Sequence, residues 1–125
     1  MKYVLTLLVA YSFALPCLAQ TPKDITRLTG QQLVDLLAVP SGTLNTAQLS
    51  PREQHNHRIA DAYIDGVLDA TTGIGWCPNK RYKPDTIEEK VIWGLRKLSA
   101  ESLQRAAAPL ILEILRPLLP CPEKE

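Results

Sequence analysis

Aromatic side chains are scarce in this chain of 125 residues: 6% of the total, with a single Phe. That is thin for a β-sandwich, whose core draws on aromatic and β-branched residues. Charge of one sign is missing too. Lys and Arg number 14 against 13 Asp and Glu, so there is no electrostatic case for nucleic acid or an anionic membrane surface. Glycine is sparse, six residues against ten prolines, which favours short helices with firm ends. Cysteines number three. What remains is a globular composition, 46% hydrophobic and 22% charged, at about one domain's length. A multidomain enzyme, a solenoid and a polytopic membrane protein are excluded.

The longest apolar run lies at the start. Lys2 supplies a positive charge, Val4 to Leu15 is apolar apart from Thr6, Tyr11 and Ser12, and Cys17-Leu18-Ala19 puts small residues three and one before a cut. This is the layout of a secretory signal peptide over residues 1–19, cleaved after Ala19. The run is too short for the roughly 20 residues a membrane span requires, so no membrane attachment is expected after cleavage. Cleavage removes Lys2 and Cys17, leaving 13 basic residues, 13 acidic residues, and Cys77 and Cys121. In an oxidising compartment an even pair reads as one disulfide rather than a metal site. A loop of about 45 residues closed this way gains roughly 4 kcal/mol from chain entropy.

The rest of the chain, residues 20–125, reads as a single all-α domain, a compact bundle of four to five short helices. The first helix runs from Gly30 to Ala38, with Thr29 and Gln32 forming a capping box. The second runs from Pro51 to Thr71 behind Ser50, with Glu53 closing its box. Its apolar face is read as Ile59, Tyr63, Val67 and Ala70, widened by Ala60, Ile64 and Leu68. The third runs from Ile87 to Leu98 with Thr86 as cap and Glu89 closing the box. Glu88 and Glu89 at its positive end suit the helix dipole. A short turn capped by Ser99 leads to the fourth, Ala106 to Leu119. Pro109 is tolerated only in a first turn, and apolar residues almost all round place this helix at the centre of the core or against a partner.

Few residues suggest chemistry. His55-Asn56-His57 on a helix places its histidines two apart, pointing away from each other, and reads as exposed first-turn residues. Asp61, Asp65 and Asp69 recur every four residues, as an acidic contact stripe, a weak divalent-cation site or a solvated face. Gly66 in mid-helix costs about 1 kcal/mol relative to Ala; a close helix approach would offset it, and the alternative is a neutral accident. The loop from Gly73 to Asp85 holds Trp76, Asn79, Lys80, Arg81 and Tyr82 beside Cys77. Trp, Tyr and Arg are the residue types enriched at binding hot spots, and a disulfide at the base of the loop lowers its ordering cost. The alternative is that Trp76 and Tyr82 cover the edge of the core. No nucleophile and base pair, no phosphate loop and no zinc spacing is visible, so neither an enzyme nor a cofactor is expected.

Three segments carry a resemblance. They are Tyr63-Ile64-Asp65-Gly66-Val67-Leu68-Asp69-Ala70, then Trp76-Cys77-Pro78-Asn79 with Lys83-Pro84-Asp85-Thr86, and last Leu115-Arg116-Pro117-Leu118-Leu119-Pro120-Cys121. In order and spacing the chain resembles the Tai-type (type VI amidase immunity) or Rap immunity protein family. It departs where Leu119 stands in place of the usual Phe, and where Val39 or a neighbour stands in place of an early cysteine. The resemblance implies Tyr63, Gly66, Asp69 and Pro120 as structural motif residues. It also implies a periplasmic, helical, commonly dimeric protein that blocks a peptidoglycan-cleaving amidase delivered by type VI secretion. The competing readings are a small periplasmic acid-stress chaperone or another non-catalytic envelope protein.

Overall fold

The computed structural model describes residues 27–43 and 45–122. The signal peptide assigned to residues 1–19 lies outside them. Among the described residues five α-helices follow in order: α1 (Gly30–Leu36), α2 (Pro51–Thr71), α3 (Pro84–Arg96), α4 (Ala100–Leu103) and α5 (Ala107–Leu118). A 3₁₀ turn, Thr46–Gln48, precedes α2. No strand occurs among the described residues, only two isolated β-bridges.

The first two helices start as their sequences dictate. Thr29 Oγ1 accepts from the Gln32 backbone N–H at 3.2 Å, and the Gln32 side chain accepts from the Thr29 N–H at 2.9 Å. Ser50 and Glu53 make the same reciprocal pair at 3.3 and 2.7 Å. Each box satisfies two donors that a helix start otherwise leaves orphaned. The third helix differs from expectation. It begins at Pro84, almost a turn before Ile87, with Lys83 as an extended cap that makes no side-chain hydrogen bond. Proline at the first helical position has its φ already set, and the N–H it lacks had no helical partner to lose. This outweighs the Thr86 and Glu89 box. The turn capped by Ser99 forms one turn of helix, α4, and buries Leu103.

The core gathers on α5. Ala107, Leu110, Ile111 and Leu115 are buried along it, with Leu119 just beyond its end. Around them lie Leu33 and Leu37, Ala60 and Ile64, and Ile87, Val91 and Leu95. The helix packs against α1, α2 and α3, so the almost wholly apolar segment is the central one. The buried face of α2 is turned by one residue from the expected stripe. Ala60 and Ile64 are its centre, while Ile59 and Ala70 are exposed. Small Ala60 at full burial sets the side on which α2 approaches its neighbours.

Close approach also explains Gly30 and Gly94, though not the glycine expected. A Cβ on Gly30 would lie 2.6 Å from Leu110 Cδ1 and 3.2 Å from the Leu103 carbonyl oxygen. A Cβ on Gly94 would lie 2.7 Å from Ile114 Cγ2, where α3 meets α5. Gly66 has nothing within 4 Å of such an atom, so the close helix approach expected there is absent. At Gly30 the backbone is stitched as well. Its N–H donates to the Arg105 carbonyl at 2.9 Å, and the Ala107 N–H donates to the Leu28 carbonyl at 2.8 Å. The starts of α1 and α5 are thereby held side by side.

Candidate functional site

The segment between α2 and α3 is fixed at both ends. Cys77 and Cys121 form a disulfide, with Cα atoms 4.7 Å apart and a sequence separation of 44. Beside it the Cys77 N–H donates to the Leu119 carbonyl at 2.9 Å. At the near end, Gly73 takes φ +78°, a left-handed conformation that glycine adopts without strain, and its N–H donates to the Trp76 carbonyl at 2.8 Å. The chain turns back so that Trp76 enters the core.

That placement sorts the five residues proposed from sequence as partner contacts. Trp76 is only 4% exposed, belongs to the core cluster, and donates its indole N–H to Thr71 Oγ1 at 3.1 Å. It is therefore a core residue and offers no free surface. Tyr82 is half-buried against the same core. Covering the core's edge is what both rings do. Asn79, Lys80 and Arg81 are exposed. Asn79 Oδ1 accepts from the Arg81 backbone N–H at 2.9 Å, which shapes the turn between them. Of the motif residues, Tyr63 packs against the core, while Gly66, Asp69 and Pro120 are exposed.

A second feature lies beside the loop and was not legible as one site. The exposed start of α3 faces α2 across a groove of about 430 Å³. Its walls bring Asp65 and Asp69 of α2 together with Asp85 and Glu88 of α3. The floor is Leu68, Trp76 and Ile87. The carboxyl of Glu88 is pushed up to about 7. Partial burial is the main cause, followed by the negative charges of Asp61 and Asp65 and a hydrogen bond with Asp61. Glu88 was expected to sit comfortably ionised at a helix start. Burial, together with the acidic stripe of the neighbouring helix, outweighs the helix dipole there, and no spacing rule within one helix reveals that meeting.

The histidine pair is also placed differently from expectation. His55 is exposed, but Asn56 and His57 are half-buried. His57 Nε2 is buried without a hydrogen-bond partner, beside a cavity of about 300 Å³ lined in part by Leu49 and Asp61. Among the described residues no group of three or more His, Cys, Asp or Glu side chains is placed to hold a metal ion. No described helix is long and apolar enough to cross a membrane.

These features define a class: a small, disulfide-stapled helical domain whose distinctive surface is a shaped loop beside an acidic groove. Residues 29–121 match the Rap1a immunity proteins. The chain belongs to that family, as the match covers most of its length from the capping box of α1 to the second half-cystine. No curated protein matches the chain.

Proposed function

We propose that the chain is a periplasmic immunity protein that binds and inhibits a peptidoglycan-cleaving amidase delivered by type VI secretion. The observation that carries this reading is its membership of the Rap1a immunity protein family over residues 29–121. Two features support the compartment. The start of the chain has the pattern of a signal peptide over residues 1–19. The Cys77–Cys121 bridge needs an oxidising environment to persist. The protein acts by occupying its target, without chemistry of its own, and is expected to form a homodimer. Lys80 and Arg81 on the stapled loop are the contact residues, shaped by Asn79 and backed by Tyr82.

Deleting the gene should sensitise cells to an amidase encoded beside it, and periplasmic expression of the chain should restore resistance. Lys80→Ala with Arg81→Ala should weaken the purified complex by about 1–2 kcal/mol, as expected of hot-spot side chains. Equal resistance with and without the gene, together with no complex on size-exclusion chromatography, would refute the reading. An unchanged affinity in the double variant would move the contact away from the loop.

A further inference from the structure

The groove between α2 and α3 combines two chemistries. Its floor of Leu68, Trp76 and Ile87 is apolar, and its rim carries Asp65, Asp69, Asp85 and Glu88, with no basic residue in its lining. The whole chain has 14 basic residues against 13 acidic, so this concentration is local and not a consequence of composition. Like charges brought this close repel, and the groove gives them no partner of its own. A bare metal ion is a poor occupant, because no group of three or more ligands among the described residues is arranged to hold one.

We infer, resting on the effector-binding reading above, that the groove docks a protein segment presenting a Lys or Arg beside an apolar side chain. The cation meets the carboxylates of Asp65, Asp69 and Asp85, and the apolar neighbour lies on Leu68 and Ile87. Charge complementarity selects this occupant over an acidic or uncharged one. A cation in the groove also favours the ionised form of Glu88, which partial burial opposes first, followed by Asp61 and Asp65 of α2 and Asp85 of its own helix. Docking therefore releases a proton and strengthens as the pH rises through about 7.

The test uses the whole chain, exported, purified from the periplasm and labelled with ¹⁵N. It is titrated with a capped octapeptide of alternating lysine and leucine, and with the counterpart carrying glutamate for lysine. The lysine peptide should shift amide signals in residues 65–72 and 85–88, and should bind severalfold tighter at pH 8 than at pH 6. Asp65→Asn with Asp69→Asn, both exposed on α2, should weaken it about tenfold without altering the fold. Equal binding of the glutamate peptide, shifts elsewhere, or an unaffected double variant would overturn the inference. So would self-association of the chain that the double variant abolishes, since the occupant would then be a second copy. The same double variant is then tested for protection against the amidase. Full protection with the peptide site lost removes the groove as the docking surface and leaves the immunity reading intact. Peptide binding with no protection by the wild-type chain removes the immunity reading instead.

Discussion

Glu88 has a cost that depends on pH. In the unfolded chain its carboxyl titrates near the ordinary value of 4.5, and in the folded protein near 7. A raised carboxyl stabilises the fold while protonated, so its contribution is complete below the unfolded value and is lost as the pH rises through about 7. Glu88→Gln keeps the shape and removes the charge. Because the side chain is partly solvated, the variant should be more stable than wild type at pH 8 by about 1 kcal/mol, with no difference at pH 4. Urea denaturation at the two pH values measures this, and an equal midpoint at pH 8 would contradict it. Trp76 is a contrasting case at the same scale. A loop Trp beside Lys and Arg satisfies the composition of a binding hot spot and of a core edge equally well. The deciding contact is an indole N–H reaching Thr71, set by a turn at Gly73 that composition does not announce. The other Trp takes the opposite role. Trp93 is 59% exposed, with the Lys97 ammonium 3.1 Å from its ring centre one turn along α3.

Helices announce themselves through their ends, and here the ends were mostly legible. Both reciprocal capping boxes, at Thr29 and Ser50, form where the residue spacing places them. The start of α3 was misread because two start signals compete within four residues, and Pro84 acts before Thr86 can. Pro117 lies in the last turn of α5, where it removes only the hydrogen bond to the Glu113 carbonyl. The helix still closes beyond it, through the Leu119 N–H and the Leu115 carbonyl at 2.8 Å. Facing surfaces were less legible, because periodicity gives a face but not its neighbour. Gly66 and Gly30 make this testable. Gly66→Ala adds a methyl to open space inside α2 and should stabilise the protein by about 0.5–1 kcal/mol. Gly30→Ala drives a methyl against Leu110 and Leu103, both buried, and should destabilise it by about 1–3 kcal/mol. Thermal melts of the two variants should move in opposite directions. A Gly30→Ala variant that melts no lower than wild type would show that α1 and α5 are not packed as described.

At the scale of the whole molecule, the bridge and the core do separate tasks. The core closes among α1, α2, α3 and α5 without any sulfur atom, through Leu33, Ile64, Val91, Ile111 and their neighbours. The bridge joins the segment ahead of α3 to the end of α5, and so fixes one wall of the acidic groove and the base of the exposed loop. Replacing both half-cystines, Cys77→Ala with Cys121→Ala, restores the entropy of a long unfolded loop, a loss of roughly 4 kcal/mol in the chain-entropy estimate. The backbone bond from Cys77 to Leu119 survives the substitution, but it is worth only about 1 kcal/mol and cannot constrain the unfolded chain. Against a typical net stability of roughly 5–15 kcal/mol, the variant should still fold at 25 °C. Its helical circular dichroism should match wild type, while its urea midpoint falls. Hydrogen-exchange protection should drop first at position 77 and through residues 79–83, where the chain has no other covalent tie, and last along Leu110 to Leu115. Binding of an effector should weaken along with that local protection, because the loop must then be ordered at each encounter. If the urea midpoint and the loop's exchange rates both match wild type, the core alone holds the loop, and the disulfide contributes neither stability nor pre-organisation.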